Sequence, residues 1–193
     1  MSTAPAPGLD RQAIAARIPH AGAMCLLDRV VSWDEQHIEC AAFGGASIHG
    51  RPHPLAQDGK VPATAAIEYA AQAMALHGRL VQEQLQAGQA VGTGEPGQET
   101  PRRGFLAALR SVRLHCRWLG AGEPALTVRA ERFAGDAVQV LYDFEVRTTA
   151  PIAQGRAVVV LDAQARAVAS PGDATATRST ARAIGSHLPE DRR

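Results

Sequence analysis

The segment VPATAAIEYAAQAMALHGRLVQEQLQAG, residues 61–88, decides the fold of this 193-residue chain. Pro62 suits the first turn of a helix and Gly88 its end, and nearly everything between is Ala, Leu, Met, Gln or Glu. From Ala63 to Leu76 the segment is apolar on almost every face, so protein must surround it rather than water. Its many alanines, Ala66, Ala70 and Ala73 among them, would let a sheet wrap closely around it.

Working outward, each side of this helix reads as strand. Before it, a short helical run from Asp10 to Arg17 leads to strand candidates at Ala23–Trp33 and Gln36–Phe43, with Asp34-Glu35 as the hairpin turn. After it, strands are expected near Arg103–Leu119, Ala125–Phe133, Ala137–Thr148 and Ile152–Asp162, with Gly- or Pro-containing turns between them. The expectation is an α+β domain over residues 10–162, an antiparallel sheet of five to six strands wrapped around one long central helix. A long loop is expected at 88–103. Residues 1–9 and 163–193, rich in Ala, Pro, Ser, Thr and Arg without apolar periodicity, read as disordered ends.

Twenty Lys and Arg against nineteen Asp and Glu leave no excess charge for a phosphate backbone, so nucleic acid is not an expected partner. No apolar run reaches the roughly 20 residues that cross a bilayer, and the first residues lack the basic start of a signal peptide. No membrane association and a cytoplasmic location are expected. Cys25, Cys40 and Cys116 are an odd number without a Cys-x-x-Cys pair; they read as buried apolar side chains rather than as a disulfide framework or metal site. Dinucleotide, P-loop and Gly-x-Ser-x-Gly motifs are absent. His37, His77, His115 and His187 have no carboxylate or cysteine at ligand spacing, so no metal is expected.

One carboxylate, Glu68, interrupts the apolar part of the helix. At 100° per residue its polar company is only Thr64 and Gln72. A carboxyl group in such surroundings should hold its proton more tightly than in water, which is the profile of a general acid. The alternative is that Glu68 reaches a basic residue or the surface.

Several short motifs, in order, resemble a known family. Ile18-Pro19-His20, then Met24 to Val30 (MCLLDRV), His53-Pro54, Val61-Pro62, Ile67-Glu68-Tyr69-Ala70-Ala71-Gln72 and Gly104-Phe105-Leu106 resemble segments of the hotdog-fold 3-hydroxyacyl dehydratases that act on acyl carrier protein. The FabZ type is the best known of these. The resemblance covers roughly residues 10–162 and is nearest to the divergent dehydratase-like proteins of aryl-polyene-type pathways.

It implies removal of water from a 3-hydroxyacyl thioester held on the phosphopantetheine of an acyl carrier protein, with no other cofactor. Such a reaction needs a base beside the carbonyl, an acid for the departing hydroxyl and a donor for the thioester oxygen. His53 is the expected base and Glu68 the acid. The N–H groups of Ala63 and Thr64, after Pro62, are expected to hold the thioester oxygen, and Gln72 to orient Glu68. His20 is expected to line the substrate site or order the N-terminal segment. The spacing departs from the FabZ type here, and His49, next to Gly50, is the rival for the base. Pro62-Ala63 replaces that family's Pro-Gly. Arg113 and Arg117, on one face of a strand, are candidates for meeting an acidic carrier. A homodimer, or a heterodimer with another hotdog subunit, is expected, because a single curled sheet leaves an edge strand and apolar faces uncovered. The other readings are a hotdog thioesterase, or a catalytically weak subunit that pairs with an active dehydratase.

Overall fold

The computed structural model describes residues 8–48, 50–90, 104–120, 125–136 and 138–161. The expectations for residues 1–7, for His49, for 91–103 and for the tail from 162 lie outside those residues.

Asp10 caps the short helix α1 (Arg11–Ala15), its carboxylate accepting from the Ala13 N–H at 2.9 Å. A single 3-10 turn, Gly22–Met24, precedes strand β1 (Leu27–Trp33), so the first strand is shorter than its apolar run suggested. The Asp34 carboxylate accepts from the backbone N–H groups of Gln36 and His37, which closes the turn into β2 (His37–Phe43). Next come two small strands, β3 (Ser47–Ile48) and β4 (Arg51–Pro52), paired as a hairpin with Gly50 at φ +73. The long helix α2 spans Ala65–Ala90, running past Gly88 rather than ending there. It is followed by β5 (Gly104–Leu114), β6 (Ala125–Gly135), β7 (Gln139–Arg147) and β8 (Pro151–Leu161).

Six strands form one antiparallel sheet in the order β1-β2-β6-β7-β8-β5. Buried and outward residues alternate along β2, β6 and β7, which turns one face of the sheet onto α2. Ala66, Ala70 and Ala73 are fully buried there, so the sheet approaches the helix as closely as the small side chains allow. Tyr69, Met74 and Leu76 fill the larger gaps, against residues such as Ile38, Leu126, Val128 and Val146.

The two sheet edges differ. On β1 the Leu9 carbonyl accepts from the Val30 N–H at 2.8 Å, and Asp10 bridges to Arg29, so the N-terminal segment covers that edge. On β5, by contrast, Phe105, Leu106, Leu109 and Leu114 are all exposed. A register shift between Arg110 and Arg113, with Ser111 at φ +51, bends this strand, and regular pairing stops at Leu114 rather than Leu119. Arg117 therefore lies beyond the strand, which undoes the shared face read for Arg113 and Arg117. Cys25 and Cys40 are buried as expected, but Cys116 is exposed in this same stretch.

Candidate active site

The start of α2 is built as a tight turn: Ala65, Ala66 and Ile67 donate to the carbonyls three residues back, at 2.9–3.0 Å. Pro62 bridges to Trp118, and the Ala63 N–H donates to the Arg117 carbonyl at 3.0 Å. That bond corrects the expectation for Ala63, because its N–H is already used within the fold and cannot also hold a thioester oxygen. Thr64 is exposed, and its N–H has no partner among the described residues.

One turn on, Glu68 is neither deep in the core nor alone. Its side chain is 30% exposed, and Oε1 lies 3.0 Å from His20 Nε2 and accepts from Gln72 Nε2 at 2.9 Å. Oε2 has no hydrogen bond within the described residues. The premise of a carboxyl isolated in apolar surroundings is thus corrected, since the N-terminal segment brings polar groups onto the helix. Gln72 is fully buried and ties that segment down: Oε1 accepts from the Leu26 N–H at 2.9 Å, and Nε2 also donates to the Met24 carbonyl at 2.7 Å. His20 touches the carboxyl directly, and its Nδ1 is buried with no partner among the described residues.

His53 is placed differently. It is 3% exposed, and Nδ1 accepts from the Leu55 N–H at 3.0 Å. In the neutral ring the proton is then on Nε2, which donates to the Tyr69 hydroxyl at 3.0 Å, and that hydroxyl donates to the Phe43 carbonyl at 2.6 Å. Burial pushes the His53 pKa below its ordinary 6.5 and raises that of Tyr69. Such a ring is well suited to locking the loop onto α2, but its one lone pair is taken by the backbone. Both ring nitrogens of His53, expected to be the base, are therefore engaged within the fold.

Tyr69 had no role in the sequence reading. The signal was present: a buried tyrosine hydroxyl in an apolar helix needs a partner. The same holds for the pair of His77 and Tyr142. The His77 ring is fully buried, with Nδ1 2.9 Å from the Tyr142 hydroxyl and Nε2 2.8 Å from the Asp34 carbonyl.

The sequence profile of the ApeP-like family, described as ApeP dehydratase, matches residues 12–170. The chain belongs to the ApeP-like dehydratase family. A search of curated proteins gave no significant match. Among solved structures, the ApeP-like dehydratase is similar to the dehydratase heterocomplex ApeI:P from Xenorhabdus doucetiae, with TM-score 0.62, 20% identity, and 77% of this chain and 90% of the other covered. Two further likenesses are the PaaI protein of the phenylacetic acid degradation operon of E. coli (TM-score 0.47, 14% identity, 78% and 88% covered) and a thioesterase from Staphylococcus aureus (0.45, 12%, 69% and 91%). The fold is the hotdog fold, as the motifs implied.

The ApeP-like dehydratase carries two cations beside the start of α2. Lys60 Nζ and Arg117 Cζ stand 5.8 and 5.4 Å from the centroid of the Trp118 ring. Among the described residues no three of His, Cys, Asp and Glu come together as metal ligands, and no helix is long and apolar enough to cross a membrane.

Proposed function

We propose that this ApeP-like dehydratase removes water from a 3-hydroxyacyl thioester held on the phosphopantetheine of an acyl carrier protein, in a fatty-acid-like or aryl-polyene-type pathway. The observation that carries the reading is the Glu68 carboxyl, with one oxygen held by His20 and Gln72 and the other left open. In this reading Glu68 Oε2 delivers the proton that leaves with the 3-hydroxyl, while a base removes the proton next to the thioester carbonyl, so that water and a 2,3-double bond result. His20 and Gln72 are positioning residues. The base is His49, the other histidine of the loop, since both ring nitrogens of His53 are used in holding that loop to Tyr69. Thr64 N–H, at the positive end of α2, faces the thioester oxygen. Lys60 and Arg117 at the same end suit the acidic surface and phosphate of a carrier.

A second reading follows from the open edge of β5 and from the likeness to a heterocomplex: this chain is one subunit of a hotdog pair, homodimeric or heterodimeric, and the other subunit supplies the base to Glu68. Mass spectrometry of a 3-hydroxyacyl carrier protein incubated with the protein, alone and with a hotdog partner, tests both. Loss of water by the protein alone, abolished by His49→Ala, supports the first reading; loss of water only with the partner, insensitive to His49→Ala, supports the second. No loss of water under either condition would overturn the function.

A further inference from the structure

The open edge of β5 is cationic as well as apolar. From Thr100 to Gly122 the sequence contains no Asp or Glu. Along the strand the two characters separate: Phe105, Leu106 and Leu109 are exposed in its first half, and Arg110 and Arg113 in its second. Arg110 stands opposite Arg156 of β8, and Arg113 opposite the neutral Gln154. The next carboxylate in the Arg110 row, Asp143 of β7, is already held by Arg156 at 2.9 Å. Among the described residues neither Arg110 nor Arg113 makes an ion pair.

A second copy of the chain would meet these charges at close range. A two-fold pairing is self-complementary, so β5 would run antiparallel to its mate, and full overlap of Gly104–Leu114 would place Leu109 at the axis. Arg110 would then lie opposite Ala108 of the second copy, a diagonal neighbour of the other Arg110 at about 7–8 Å. Two uncompensated guanidinium groups at that distance repel. The unpaired backbone of the edge and the apolar half of the strand favour any second strand alike. The arginines do not.

Building on the pairing reading above, we propose that the β5 edge selects against a copy of this chain and for a different subunit, one whose edge strand carries Asp or Glu facing Arg110 and Arg113. Burial of Phe105, Leu106 and Leu109 drives the contact, whereas the arginines set which chain is accepted. Across the new strand pair the partner supplies the carboxylates that the neighbouring strand β8 does not offer to Arg110 and Arg113.

The test needs no unidentified partner, because the variant Arg110→Glu, Arg113→Glu presents an acidic edge on the same fold. Wild type, variant and their mixture are compared by sedimentation equilibrium at about 50 and 500 mM salt. At low salt the mixed pair should form at least about fivefold more tightly than either protein with itself, and the difference should shrink at high salt. Arg110→Gln, Arg113→Gln removes the repulsion alone and should self-associate more tightly than wild type; it keeps the test decisive should the Glu variant fail to fold. Equal affinities for all pairs would overturn the proposal and leave the pairing reading standing. Monomers in every mixture would overturn the pairing reading itself, and this proposal with it. A mixed pair no tighter than the wild-type pair, beside an acyl carrier protein that binds wild type and not the Glu variant, would overturn it by assigning the arginines to the carrier.

Discussion

His20 Nε2 stands 3.0 Å from Glu68 Oε1, and Gln72 Nε2 reaches that same oxygen at 2.9 Å. The carboxyl is thereby fixed from two directions, by its own helix and by a segment far away in sequence, and among the described residues Oε2 has no partner. Glu68→Gln preserves shape and most of the hydrogen bonding but removes the carboxyl group proposed as the acid. Turnover should fall by on the order of 10²–10⁴-fold. Because the side chain is 30% exposed, stability should change by no more than about 0.5 kcal/mol. Steady-state kinetics beside thermal melting distinguish this from a structural glutamate, which would give wild-type turnover and a clear drop in melting temperature.

His20→Ala removes one of the two groups that hold Oε1. If it positions Glu68, kcat should fall by roughly tenfold with KM little changed, and His20→Asn, which keeps a donor, should recover part of the loss. Equal rates for all three proteins would remove the positioning role.

His53→Ala is expected to act through the fold. It leaves the Leu55 N–H without its acceptor and the Tyr69 hydroxyl without one partner, and an unpaired buried group costs about 1–3 kcal/mol. Urea unfolding should show that loss, and Tyr69→Phe should share part of it rather than add to it in a double mutant. A His53→Ala protein with wild-type stability and no turnover would return the base to His53.

Much of this architecture is legible in the sequence because it follows from local patterns. The alanine-rich run of α2, the Asp10 cap and the alternation of β2, β6 and β7 each have a short-range cause. What was not legible depends on distant segments. The motif resemblance draws His20 toward the site, but its contact with Glu68 has no local signal and arises because Gln72 grips the Leu26 N–H and the Met24 carbonyl. The Ala63 N–H looked available until the chain after β5 returned to place the Arg117 carbonyl against it. Regular pairing of β5 ends at Leu114, so the two-residue period does not carry from Arg113 to Arg117, and their faces were misjudged. Periodicity reports which face is buried, not which remote group covers it.

The open edge of β5 leads to an expectation about assembly. Phe105 and Leu109, at 55% and 37% exposure, are apolar groups that a second hotdog subunit would cover. Phe105→Lys with Leu109→Lys should weaken self-association, or association with a hotdog partner, in sedimentation equilibrium. Circular dichroism should be unchanged, since both side chains already face water in the single chain. Undiminished association would place the interface elsewhere.

The final expectation concerns acid. His53 and His77 both have pKa values lowered from 6.5, chiefly by burial, and each neutral ring accepts at Nδ1 from a backbone N–H or a tyrosine hydroxyl. Protonation would place a donor against the Leu55 N–H at His53, and at His77 it would put a charge into the core and force the Tyr142 hydroxyl to turn and accept. In the unfolded chain these rings titrate near 6.5, so below that pH the unfolded state binds more protons than the folded one, and stability must fall as pH falls. Their effect should be absent well above pH 6.5, set in as the pH drops through 6.5, and continue until the rings protonate in the folded protein. Asp34 and Asp136, whose pKa values are lowered from 3.8, act with the same sign but in a window near and below that value. Asp136 owes its shift to the Gln139 and Val138 N–H groups, whereas at Asp34 burial opposes the larger combined effect of the Gln36 and His37 bonds. Calorimetric unfolding at pH 6 in two buffers of different ionisation enthalpy should therefore show proton uptake, which disappears by pH 8. Proton release at pH 6, or uptake unchanged in a His53→Gln, His77→Gln double mutant, would mean that neither buried ring is held neutral by the fold.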